Sequence, residues 1–314
     1  METFAKFICI HGKREAVKVQ SERKEKKAEA LSEEQNICCG EIPQQEENKM
    51  NYWVQGPGHI YVAAHRGLSD RYPENTMLAF EKALEAEADQ IETDVRVTKD
   101  GVLVLSHNGN LDRATDGKGS VEEHTYEELR GLNASRLCGW KFSDCRIPKL
   151  EDFMDLVCTA PDTFTIDVEL KEYPEEVGST LALEVTDRVL QLIDDSGFTD
   201  RCVINTFSAS QAEYIRKKYG AKYRQHVYYP KTKMKNVTLD PLSYAYCACI
   251  SDDDAFAKLE AYEDVRQHGV DPWAFTPALT EQNVNALKRC GATLITCNNA
   301  DEAVRVLRAH GMHP

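Results

Sequence analysis

No run of apolar residues in this chain approaches the roughly 20 that a membrane-spanning helix requires. The longest, Val102 to Leu105 and Tyr244 to Ile250, are strand-sized, so no transmembrane segment is expected. Near the N-terminus only Phe7 to Ile10 is apolar, short of the roughly 7 to 15 residues of a signal-peptide core, and no small-residue cleavage site follows. Positive charge is in short supply too: 38 Lys and Arg stand against 52 Asp and Glu, a formal charge of −14 that opposes binding to a polyanion such as nucleic acid. No C-x-x-C pair occurs among the eleven cysteines, an odd number, which argues against a zinc knuckle and a disulfide framework. Reduced thiols and a cytoplasmic location are the expectation. A G-x-G-x-x-G turn is also missing after the first apolar strand, where Ala64-His65-Arg66-Gly67 stands, so a dinucleotide-binding open sheet is disfavoured.

What is present is enough for a large core, with 42% hydrophobic and 29% charged residues, both near globular averages. Residues 1–49 hold nine Lys/Arg and ten Glu and few large apolar side chains after Ile10, and read as a mobile or transiently helical extension. From residue 50 to 314 the chain reads as one domain. Strands are expected at Ile60 to Ala64, Gln90 to Val97, Phe164 to Glu169, Cys202 to Phe207, Arg224 to Tyr228, Tyr246 to Ile250, Trp273 to Thr276 and Thr293 to Cys297. Helical patterns follow most of them, at Asn75 to Glu87, Leu150 to Cys158, Glu175 to Ser196, Ala209 to Tyr219, Asp254 to His268, Thr280 to Cys290 and Ala300 to His310. Eight strands alternating with helical segments predict a TIM (β/α)8 barrel. Lys99-Asp100-Gly101 marks a hairpin turn after the second strand, and the polar stretch 108–148 reads as a small insertion.

In such a barrel, chemistry collects where strands end. His65 and Arg66 follow the first strand, giving a proton carrier and a phosphate-pairing guanidinium. In Ile91-Glu92-Thr93-Asp94-Val95 the two-residue period places Glu92 and Asp94 on one face. If that face is the barrel mouth, a cation must hold both carboxylates ionised; an acidic face turned to solvent is the alternative. Asp167, Glu169 and Lys171 share a face in the third strand, and His107 ends the apolar run before the insertion. Oxygen ligands without cysteine favour Mg²⁺, Ca²⁺ or Mn²⁺ over zinc. Two histidines, an acidic cradle and two cations together suit phosphodiester hydrolysis.

The ordered series His65-Arg66-Gly67, Pro73-Glu74-Asn75-Thr76, Glu92-x-Asp94, Thr98-x-Asp100-Gly101, His107, Leu111-x-Arg113-x-Thr115, Gly119-x-Val121 and Glu169-x-Lys171 resembles the glycerophosphodiester phosphodiesterases. The likeness continues through Asn205-Thr206-Phe207-Ser208 and Trp273, covering residues 60–310. It implies a TIM barrel that uses a divalent metal to hydrolyse a small-molecule glycerophosphodiester to glycerol 3-phosphate and an alcohol. By motif position it implies Glu92, Asp94 and Glu169 as metal ligands, His65 as general base and His107 as general acid. Arg66 and Lys171 would contact phosphate, and Trp273 would pack against the glycerol or leaving-group end.

Two positions depart from that pattern. Asn108 stands where the family usually has Asp, and Thr276 stands three residues after Trp273 where Asn is frequent. Two rival readings accompany the main one: a phospholipase D-like barrel acting on lysophospholipids, and, motivated by Asn108, a catalytically weak barrel that binds phosphodiesters. His59, His124, His226, His268, His310 and His313 read as solvent or packing histidines, Cys247 and Cys249 as small packing residues, and Asp252 to Asp254 as a solvated helix start.

Overall fold

The computed structural model describes residues 58–251 and 254–314; the charged extension 1–49 lies outside them, as do Asp252 and Asp253. In chain order the strands are β1 (Tyr61–His65), β2 (Gln90–Val97), β3 (Leu103–Leu105), β4 (Thr165–Leu170), β5 (Cys202–Asn205), β6 (Arg224–Tyr229), β7 (Cys247–Ile250), β8 (Asp271–Phe275) and β9 (Leu294–Cys297). All but β3 pair in parallel around a ring, which closes where Ala64 of β1 lies opposite both Ile91 of β2 and Cys297 of β9. This is the (β/α)8 barrel that the repeat pattern predicts. β3 runs antiparallel to β2, joined through a turn in which Thr98 and Val102 pair at 2.9 Å and Gly101 adopts φ +84°.

Between the strands lie α1 (Met77–Glu85), α2 (Tyr126–Leu129), α3 (Leu150–Val157), α4 (Pro174–Val177), α5 (Ser179–Asp195), α6 (Ala209–Tyr219), α7 (Leu259–Gln267), α8 (Val284–Cys290) and α9 (Ala300–Ala309). The single helix expected from Glu175 to Ser196 is broken because Gly178, at φ +85°, ends α4 and opens α5. The helix expected from Asp254 also starts later: a single 3₁₀ turn over Ala255–Ala257 precedes α7. The longer helices bury one stripe against the outward-facing strand residues, as Phe80 of α1 and Phe153 of α3 do at 4.8 Å from each other. Fully burying side chains of that kind stabilises by about 1.5–3 kcal/mol apiece. No helix among the described residues is long and apolar enough to cross a membrane.

The insertion is built from single turns rather than long elements. Leu111, Val121, Leu129, Ala134 and Ile147 form a second, small apolar cluster with Val104 of β3. Inside the barrel the alternation runs the other way from an ordinary core. Glu92, Asp94, Asp167, Glu169, Asn205, His226 and Thr296 are all buried there, where branched aliphatic residues usually dominate. That polar interior is where the site lies.

Candidate active site

The turn after β1 sets the first half of the site. Arg66 has φ +58°, held by its backbone N–H, which donates to the Glu92 carbonyl at 2.9 Å and to Glu92 Oε2 at 3.0 Å. Gly67 follows at φ +80°, and a Cβ there would meet the Ala79 carbonyl carbon at 2.6 Å, so the chain can pass α1 only with glycine. The Pro73-Glu74-Asn75-Thr76 segment then divides its labour. Glu74 accepts from Arg66 at 3.1 Å and pairs with Arg113 of the insertion. The Asn75 amide donates to Asp94 Oδ2 at 2.7 Å, and Thr76 caps α1 by accepting from the Ala79 N–H.

Glu92 and Asp94 face the barrel interior rather than solvent, and Glu169 joins them from β4, with one carboxylate oxygen of each lying within 4.8 Å of the others. Burial, and then the charge of Asp94, push the Glu92 carboxyl well above the usual carboxylate range. Asp94 goes the other way: burial works against its charge, but Lys171 and Arg66 outweigh it and hold the group below its ordinary value. Lys171 Nζ lies 3.1 Å from Asp94 Oδ1 and 2.5 Å from Glu169 Oε1, which also accepts from the Tyr173 hydroxyl at 2.8 Å. A buried oxygen-only cluster carrying a carboxyl of raised pKa fits a hard divalent ion, which would restore the ionised form. The three carboxylates can therefore hold a metal ion.

Both rim histidines line the same cavity of about 240 Å³. His65 Nδ1 is 2.6 Å from Asn298 Oδ1, its Nε2 is 3.9 Å from Glu92 Oε2, and Phe275 packs edge-on against the ring at 5.0 Å. Burial, assisted by the Arg66 charge, lowers His65 to about 4. His107 Nδ1 lies 2.6 Å from Asn108 Oδ1, and its carbonyl accepts from the Arg96 guanidinium at 3.2 Å. Burial also lowers its pKa, with Lys171 and Arg66 adding to the effect.

A family model described as the glycerophosphoryl diester phosphodiesterase family matches residues 65–312. This chain belongs to that family. A glycerophosphodiester phosphodiesterase of Caldanaerobacter subterraneus is 36% identical over 156 residues, covering 50% of this chain and 61% of the relative. One from Bacillus altitudinis is 39% identical over 150 residues, covering 46% and 57%. These matches span about six-tenths of the length of the relatives. Among solved structures, an Oleispira antarctica phosphodiesterase in complex with sn-glycerol-3-phosphate superposes with TM-score 0.65 at 19% identity, over 80% of this chain and 96% of that one. A Parabacteroides distasonis glycerophosphoryl diester phosphodiesterase gives 0.63 at 22%, over 82% and 90%.

Within this family member the structure brings together seven of the eight residues singled out in the sequence: His65, Arg66, Glu92, His107, Glu169 and Lys171 line the cavity, and Asp94 lies behind them in the carboxylate cluster. Trp273 is the exception. Its side chain is 1% exposed and lies one layer deeper than Phe275, with the indole N–H donating to Asp271 at 3.0 Å and the ring edge-on to His226 at 5.1 Å. Two residues along a strand is one layer down the barrel, so Phe275 takes the wall position expected of Trp273.

His226 needs the opposite correction. It is neither a solvent nor a packing histidine: it lines the cavity, and its Nδ1 lies 2.7 Å from Asp167 Oδ2. Cys249 lines the same cavity. The signal for both is parity, since Asn205, His226 and Cys249 fall at inward positions of their strands, and a partner from another strand is invisible in linear spacing.

Proposed function

We propose that this chain is a metal-dependent hydrolase of glycerophosphodiesters, releasing glycerol 3-phosphate and an alcohol. The observation that carries the reading is the convergence, on one cavity, of two histidines, two cationic side chains and a buried carboxylate cluster. Glu92, Asp94 and Glu169 would hold Mg²⁺, Ca²⁺ or Mn²⁺, which when bound supplies positive charge to the phosphoryl oxygens. Arg66 and Lys171 add charge from the protein side.

His65 is the general base. Asn298 Oδ1 accepts from Nδ1–H, so Nε2 presents its lone pair, and the lowered pKa keeps the ring neutral at physiological pH. His107 is the general acid: Asn108 Oδ1 accepts from Nδ1–H and fixes the ring, so the proton given to the leaving oxygen is the one Nε2 carries in the imidazolium, a form that an anionic phosphodiester bound beside the ring would stabilise against the lowering effect of burial. Asn108 thus supplies the orienting acceptor that an aspartate would supply, without its charge. Product identification by phosphorus NMR, with glycerophosphocholine and glycerophosphoethanolamine as substrates, tests the assignment. Glycerol 3-phosphate is the expected product, and His65→Ala and Glu92→Ala each lower the rate by about 10² to 10⁴. Undiminished turnover in either variant overturns these roles.

A further inference from the structure

The backbone that carries His107 is held by a side chain outside the proposed chemistry. β3 is only three residues long, and just beyond it the Ser106 N–H donates to the Asp94 carbonyl of β2 at 3.0 Å. From there the chain leaves the sheet for the insertion, so His107 stands on a loop, where a side chain is placed less firmly than on a strand. The carbonyl of His107 itself is taken by Arg96, which donates to it from two nitrogens, Nε and Nη2, each at 3.2 Å.

Arg96 is fixed in turn from behind. Its Nη1 lies 3.7 Å from Glu172 Oε1, and that oxygen also accepts from the Val97 N–H at 3.1 Å. The two side chains are 12% and 2% exposed, so the pair is largely out of water, where its attraction is stronger than at a surface. Other roles for Arg96 fit less well. A phosphate contact needs a guanidinium edge facing the cavity, but Arg96 does not line it, and its three nitrogens are engaged by His107 and Glu172. A brace for the insertion alone has no reason to close on this carbonyl, because the insertion carries its own apolar cluster around Val104.

The imidazole therefore has a hold on each end. Asn108 Oδ1 meets Nδ1 and sets the rotation of the ring, Arg96 sets the place of the backbone below it, and the Ser106 hydroxyl, donating to the Asn108 carbonyl at 3.0 Å, ties the two together. We propose that Arg96, backed by Glu172, is a positioning residue for the general acid, fixing the His107 backbone so that Nε2 meets the leaving oxygen. The assignment rests on the phosphodiesterase reading with His107 as its acid. A displacement of about 1 Å at such a group costs on the order of 10²-fold in rate.

The test compares two esters of glycerol 3-phosphate, with Mg²⁺, Ca²⁺ or Mn²⁺ present: glycerophosphocholine, whose choline oxygen needs a proton to leave, and the p-nitrophenyl ester, whose phenolate leaves without one. Arg96→Lys keeps the charge opposite Glu172 and gives up the fork, so the fold is retained. It should lower kcat for glycerophosphocholine by about tenfold with KM little changed, and alter turnover of the p-nitrophenyl ester by less than about twofold. Arg96→Met should widen that gap. Added to His107→Ala, Arg96→Met should cost nothing further with the choline ester, since it acts through the missing residue. Equal losses on both esters in Arg96→Lys, or a loss in the double variant that multiplies the loss in His107→Ala, overturn the positioning role and leave the enzyme reading intact. Equal losses on both esters in His107→Ala overturn the acid assignment and the positioning role with it. Absence of turnover of both esters by the wild-type protein contradicts the phosphodiesterase reading itself.

Discussion

At the scale of single residues, the site works by setting neighbouring titratable groups apart. His65, lowered to about 4 by burial, would as the proposed base stay unprotonated across the neutral range. Its folded value lies below the roughly 6.5 of a free histidine. Its rate contribution should therefore be complete above that pH and fall only as pH drops toward 4, so the acidic limb of a kcat/KM profile is predicted below pH 6. A limb at 6.5 or above that disappears in His65→Ala contradicts this. Asn108→Asp should leave a different signature. A carboxylate beside His107 Nδ1 stabilises the imidazolium, so the His107-dependent limb should move to higher pH while the hydrogen bond survives. His226→Gln tests the buried pair. Removing the cation leaves Asp167 as an uncompensated buried charge, with an expected loss of about 3–5 kcal/mol in denaturant unfolding.

At the scale of elements, the first βα turn and the insertion act together. Glu74 is the joint, accepting from Arg66 in the site and pairing with Arg113 in the insertion. Arg113→Ala should free Glu74 to pull on Arg66 and raise KM more than it lowers kcat, by about tenfold, measurable by steady-state kinetics. An unchanged KM would show that the insertion carries no part of the site. These same elements show what is legible in the sequence. The alternation in Glu92-x-Asp94 and Glu169-x-Lys171 reveals two charged inward faces, because strand period is a local property. The Asp167–His226 pair is not legible, because its members lie 59 residues apart on strands separated by β5. Trp273 falls in a different layer from the one its motif implies for a related reason: sequence shows that a side chain points inward but not how deep its strand sits at that point. The break at Gly178, by contrast, is legible as a glycine ahead of Ser179, since the buried stripe begins only at Ala182 and none of Pro174–Val177 is buried.

At the scale of the whole molecule, the negative formal charge is compatible with an anionic substrate because the site's own cations, Arg66 and Lys171, are largely buried where the field acts. On the proposed reading the three carboxylates come together as an ion site only in the folded barrel, so metal binding would be linked to folding. An ion at 100 times its Kd should raise stability by about 2.7 kcal/mol. Glu169→Gln should abolish most of that increment in thermal unfolding.

Metal-dependent phosphodiester hydrolysis is tested most directly by turnover of glycerophosphocholine with metal-stripped protein, before and after adding Mg²⁺, Ca²⁺ or Mn²⁺. The expected result is no release of glycerol 3-phosphate after chelation, recovery with at least one of the three ions, and no recovery in Glu92→Gln. Full turnover by the stripped protein, or none with any of the ions, would contradict it.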